Sequence, residues 1–220
     1  MTTQRWMILG CTLALAAAPF VRATAQSKLE LRAGAVTMLS QRAAMFEGGV
    51  GTGKGTMAGV ELVARRRYVG LMARLFGGTF AADSGSEATG RVSMGDVRLL
   101  AGPRFLAAEI GYGRRAFTGA FGSRSWPVGR VGIRSALAIG GSGLSTDISV
   151  TYSLAMGGHD GTGQATGREA ETRLNYVPPT WPIYVGLGYR HERFSISSPS
   201  DTRPEEVSSI VLVAGVRLGR

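Results

Sequence analysis

Period-two alternation of apolar and polar residues recurs ten times between Leu29 and Leu218, and it constrains the fold more than any other feature of the chain. Alternation places every second side chain on the same face of an extended segment, so each run reads as a strand with one apolar face. The clearest run sets Ile148, Val150, Tyr152 and Leu154 against Asp147, Ser149, Thr151 and Ser153. The others centre on Leu29–Ala35, Val60–Arg65, Val69–Leu75, Asp96–Ala101, Leu106–Gly113, Arg130–Leu137, Glu171–Tyr176, Ile183–Arg190 and Ile210–Leu218. No helical period of comparable length follows Ala25. One alternating run is weak evidence, but ten in succession, with charge kept off one face, predict an all-β chain.

The connections alternate as well. Long ones span Ser40 to Gly55, Phe80 to Ser93, Arg115 to Pro127, Gly157 to Arg168 and Ser195 to Glu206. Short ones fall at Arg66-Arg67, Gly102-Pro103, Gly140 to Gly143 and Pro178 to Thr180. Glycine makes up 33 of 220 residues without a collagen period, which suits a sheet that must curve tightly. The expected fold is a closed, antiparallel, up-and-down barrel of about ten strands. Eight strands remain open if the weak eighth run drops out with a neighbour.

Residues 1–25 read as a cleavable signal peptide, leaving 26–220 as the barrel domain. Arg5 supplies a basic start, Trp6 to Ala18 an apolar stretch, and Ala23-Thr24-Ala25 a small-residue cleavage site. The apolar stretch is shorter than the ~20 residues of a spanning helix. Cys11 suggests a lipoprotein alternative, but only four apolar residues precede it without interruption. Cleavage after Ala25 would remove the single cysteine and with it any disulfide or thiol chemistry.

With Arg5 and Arg22 in the leader, 23 basic residues stand against 15 acids, a net charge of +8. All but Lys28 and Lys54 of the basic residues are arginine. They are spread mostly singly along strands and loops rather than gathered along one helix or patch, so nucleic acid is not expected as a partner.

On these residues the chain resembles the small monomeric outer-membrane barrels of Gram-negative bacteria, a porin-like and OmpA-like group, over nearly all of Leu29 to Leu218. The resemblance rests on pattern and topology. It implies a location in the bacterial outer membrane, contact with its lipid and lipopolysaccharide, insertion by the barrel-assembly machinery, and a monomer. Tyr112, Tyr152, Tyr176 and Tyr189 on the apolar face, with Trp126 and Trp181 flanking runs, suit interfacial girdles. The alternative is a soluble, periplasmic lipocalin-like barrel with the apolar face turned inward.

If the polar face points inward, it carries a lumen charge network: Glu30, Arg32, Glu61, Arg65, Arg74, Asp96, Arg98, Glu109, Arg130, Arg134, Asp147, Glu171, Arg173 and Arg190. Opposite charges on adjacent strands then pair, and a lumen of this size is plugged. The expected function is that of a non-enzymatic barrel with a closed lumen, serving membrane structure, surface binding or adhesion. An outer-membrane hydrolase is a second possibility and a narrow channel a third.

The hydrolase reading has two weak sites. Asp83, His159 and Asp160 resemble the rim acids and histidine of the ten-stranded omptin proteases, where such a pair activates water. His191-Glu192 with Ser195 and Ser197 nearby resembles a lipid A deacylase-like Ser–His–Glu set. Arg114, Arg115, Phe117, Phe121, Arg124 and Trp126 group around the third long connection, and Arg114, Arg115 and Arg124 are candidates for gripping lipopolysaccharide phosphates. Gly51-Thr52-Gly53-Lys54-Gly55-Thr56 superficially resembles a phosphate loop, but Gly55 stands where Ser or Thr is needed and no helix follows. Two isolated histidines suggest no metal site, and no motif calls for a cofactor.

Overall fold

A computed structural model describes residues 29–46, 49–82, 89–119, 124–155, 164–178, 180–198 and 201–219. They form ten strands: β1 (Leu29–Phe46), β2 (Gly49–Arg66), β3 (Val69–Ala82), β4 (Thr89–Ala101), β5 (Ala107–Gly119), β6 (Arg124–Ile139), β7 (Leu144–Ala155), β8 (Gln164–Tyr176), β9 (Ile183–Ser198) and β10 (Asp201–Leu218). Each strand pairs antiparallel with its neighbours in sequence, and β10 returns to β1, so the sheet closes. The eighth run is a full strand, which makes the count ten and not eight. Residues 67–68, 102–106, 140–143 and 177–182 connect strands at one end, the turn end. The start of β1 and the finish of β10 lie there too, with Leu31 opposite Leu218.

The apolar face of the strands points outward. Ile110, Leu75 and Leu187 are 63%, 61% and 56% exposed, whereas Arg98 is 0% exposed. This is the reverse of the lipocalin-like arrangement, which required the apolar face inside. On β10 the outward apolar row runs from Ile210 to Leu218. At ~3.3 Å per residue and a tilt of ~40°, such a row covers roughly 20 Å along the barrel axis.

The expected contrast between long and short loops is not how the far end is built. β1 and β2 are each 18 residues long, and Ser40 pairs with Gly55 and Met45 with Val50 in unbroken register. Only residues 47–48 lie between these strands. Likewise β9 and β10 run to Ser198 and from Asp201, pairing Ser195 with Pro204. Much of what sequence marks as loop therefore extends the strands, and the phosphate-loop-like stretch is strand β2. Here Gly53 and Gly55 alternate with outward Thr52, Lys54 and Thr56. The period of two persists, but with glycine inside and polar side chains outside it shows no apolar signal. The Phe80 ring fills the space beside Gly55, where a Cβ would come within 2.9 Å of ring carbons.

The closing seam is built in the same way. Tyr184 on β9 is buried and lies across Gly34 of β1 and Gly215 of β10. A side chain at either glycine would occupy the ring's place. At the turn end, Gly102 adopts φ of +123° and its amide donates to the Tyr68 carbonyl at 2.8 Å, a backbone state that favours glycine.

Trp126, expected in an outward girdle, points inward. It joins a buried apolar cluster with Val36, Met38, Met57, Phe76 and Met94, among others. Its hydrophobic bulk finds a dry place among other apolar side chains, so the outward aromatic positions fall to Tyr112, Tyr152, Tyr176, Tyr189 and Trp181. The lumen is thus not charged throughout. Apolar side chains from β10, β1, β2, β3 and β4 fill one part of it, and ion pairs fill the rest.

Candidate functional site

The charged part of the lumen is assembled from one inward position in every two along most strands. Its centre is Glu169 on β8, which is 1% exposed. Its carboxylate accepts from Arg74 Nη2 on β3 at 2.9 Å, from Arg98 Nη2 on β4 at 3.1 Å and from Arg190 Nη2 on β9 at 3.1 Å. Arg130 of β6 donates to it as well. Two residues along β8, Glu171 accepts from Arg74 Nη1 at 2.7 Å.

Around this centre the pairs continue. Arg98 Nε donates to Asp96 at 2.7 Å and Arg98 Nη1 to Glu109 at 2.8 Å. Glu109 also accepts from Arg134 Nε at 3.3 Å and from the Thr151 hydroxyl. Arg173 Nη2 donates to Glu61 at 2.9 Å and lies 3.5 Å from Asp147, which Arg32 approaches to 3.6 Å. At the turn end Glu30 is shared by Arg32 at 3.5 Å, Arg217 at 3.1 Å and Arg104. Arg65 Nη2 donates to the Gly102 carbonyl at 2.8 Å. Toward the far end, Glu205 accepts from Arg42 Nε at 2.7 Å and from Arg115 Nη2 at 3.2 Å. Arg115 also pairs with Glu192 and stacks 4.4 Å from the Phe194 ring centroid.

The connectivity matters more than the number of pairs. In a ring of ten strands, β3 and β8 stand on opposite walls, as do β5 and β10. Arg74 of β3 nevertheless bonds both carboxylates of β8, and Arg115 of β5 reaches Glu205 of β10. These pairs span the interior from wall to wall. Buried ions are costly unless paired and hydrogen-bonded, and guanidinium forks meeting several carboxylates meet that condition. Such an interior pairs its own charges across the barrel.

The fourteen residues expected in a lumen network all carry inward side chains on the strands, each buried except partly exposed Arg32. Sequence reading missed Glu169, Glu192, Glu205 and Arg42. The signal was present for two of them: Glu169 lies two residues from Glu171, and Glu192 two from Arg190, so each shares its neighbour's face. The alternation extends past the strongly contrasted runs, before Glu171 on β8 and after Arg190 on β9.

Other candidates are placed differently. Arg115, grouped by sequence with outward arginines, faces the lumen, because strand β5 continues through it in register and puts its side chain on the face of Glu109. Arg114 faces outward and its Nε donates to the Ser125 hydroxyl at 2.6 Å. The side chain of Arg124, and residues Asp83, His159, Asp160 and Phe121, lie outside the described residues. His191 and Glu192 are consecutive on β9 and so point to opposite faces. Glu192 belongs to the lumen, while the imidazole Nδ1 of His191 is hydrogen-bonded with the Ser208 hydroxyl of β10 at 3.0 Å. Ser195 is four residues along the same extended strand, about 13 Å away. The proposed Ser–His–Glu set is therefore not brought together by Ser195 and Glu192.

No protein-family model and no curated protein sequence matches this chain. Among solved structures, the outer-membrane protease OmpT from Escherichia coli is similar at 12% identity and TM-score 0.43, over 88% of this chain and 96% of that one. The translocator domain of the autotransporter NalP from Neisseria meningitidis is similar at 14% identity and TM-score 0.44, over 99% and 98%. Neisserial surface protein A gives 10% identity and TM-score 0.39, over 87% and 99%.

Proposed function

We propose that this chain is a bacterial outer-membrane barrel whose lumen is closed by its own ion pairs, and that it braces the membrane or presents a surface without conducting. The membrane placement is supported by the outward apolar belt with tyrosines at 40% to 60% exposure, a surface that water disfavours and a bilayer matches. A closed barrel also satisfies its backbone groups without water. The non-conducting role rests on one observation: Arg74 joins Glu169 and Glu171 on the opposite wall.

Planar-bilayer recording tests the closure. The wild-type barrel, shown to be folded and inserted by its heat-dependent gel mobility, should carry no steady current. A variant with Arg74, Glu169 and Glu171 all replaced by alanine should show ionic leak. Stable single-channel steps from the wild type would overturn the reading.

A further inference from the structure

Arg168 on β8 and Arg193 on β9 are directly opposed across the strand pair, and both side chains are exposed on the outer wall. Like charges in that arrangement repel. Only Arg193 has an acid in reach, Glu206 of β10 at 3.3 Å, and that pair is itself exposed. Among the described residues Arg168 has no counterion. The two arginines sit at the far-end margin of the apolar belt. Tyr152 is the cross-strand partner of Arg168 on β7, Leu154 lies two residues beyond Tyr152, and Tyr189 lies on the outer face of β9 below Arg193.

We infer that Arg168 and Arg193 form a clamp for a phosphate group of an outer-leaflet lipid. Two guanidinium forks at one cross-strand position offer paired donors to the oxygens of one phosphate. The anion between them converts a repulsive pair into an attractive triplet. Tyr152 and Leu154 beside the clamp, and Tyr189 below it past His191 and Ala170, offer apolar surface to acyl chains attached to that phosphate, which a free anion lacks. This rests on the membrane placement proposed above, taken with the turn end, where Leu31 meets Leu218, on the periplasmic side and the far end at the cell exterior. Arg114, singled out by sequence, is on β5, a different part of the wall.

Native mass spectrometry of the folded protein released from micelles tests the clamp, using diphosphoryl lipid A, the same lipid without phosphates, and inorganic phosphate as probes. The wild type should retain the phosphorylated lipid about tenfold better than the dephosphorylated one. R168A/R193A should remove that preference, and R168K/R193K should keep part of it, because charge survives but the fork does not. E206Q should strengthen retention by releasing Arg193, a change opposite in sign to structural damage. Should the double variant fail to fold, R168A alone decides the matter, since Arg168 has no described partner to lose. Equal retention by wild type and the alanine variant overturns the clamp, as does retention indifferent to the lipid's phosphates. Displacement of the lipid by equimolar inorganic phosphate reassigns the site to a free anion and also overturns the proposal. A wild-type protein that enters vesicles but ignores phosphate defeats only the clamp; one that enters no vesicle defeats the membrane reading itself.

Discussion

Glu169 takes hydrogen bonds from guanidinium groups carried by β3, β4, β6 and β9. Replacing it with glutamine keeps the shape, removes the charge, and leaves several buried cations short of a counterion. Breaking a buried ion pair in this way costs about 3–5 kcal/mol. Thr151→Val, which removes one hydroxyl donor to Glu109, should cost less, about 1.5–3 kcal/mol. Urea-dependent loss of the folded gel band should rank the two in that order; equal midpoints would show that Glu169 is not the centre of the network. Residue identity on the inner face was legible wherever alternation was strong. Glu169 escapes notice because Thr166, Arg168 and Ala170 dilute the apolar signal on the opposite face of β8. Trp126 was misplaced because a tryptophan beside a strand end reads alike whether its ring faces lipid or a dry interior.

At the level of elements, strand existence was legible and strand length was not. Apolar contrast marks only the belt, whereas pairing continues past it wherever backbone partners remain. β2 is the clearest case: its glycines erase contrast without breaking the ladder. Gly55→Val would set its Cβ against the Thr79 carbonyl of β3 as well as the Phe80 ring, and should destabilise the barrel by about 1–3 kcal/mol or more. Lys54→Val, one residue away but facing outward, should change stability by no more than about 0.5 kcal/mol. Urea titration of the two variants checks this; a tolerated Gly55→Val would return the glycine-rich stretch to a loop.

For the whole molecule, the decisive property is the inversion of polarity, with charge inside and aliphatic side chains outside. Sequence gives two faces and cannot label them, because a lipid-facing and a core-facing row of leucines look the same; closure and exposure label them. The inversion carries a direct test. Leu187→Arg places a cation mid-belt on the outer wall and should weaken bilayer insertion by about 2–4 kcal/mol, measured by refolding into vesicles, whereas a water-soluble barrel would accept it. The wild-type protein should also resist urea extraction from outer membranes. Recovery in the soluble periplasm would remove the membrane reading.

The ion pairs that cross from β3 to β8 and from β5 to β10 have a mechanical meaning. Hydrogen bonds between neighbouring strands resist sliding and peeling, but a ring held only at its circumference can flatten into an oval under lateral load. Arg74 and Arg115, each anchored on one wall and bound to the other, act as spokes. Because the two spokes run along different diameters, flattening the ring must stretch or compress at least one of them. In the membrane placement proposed above, a cylinder stiffened in this way would keep a rounder cross-section under changing lateral load.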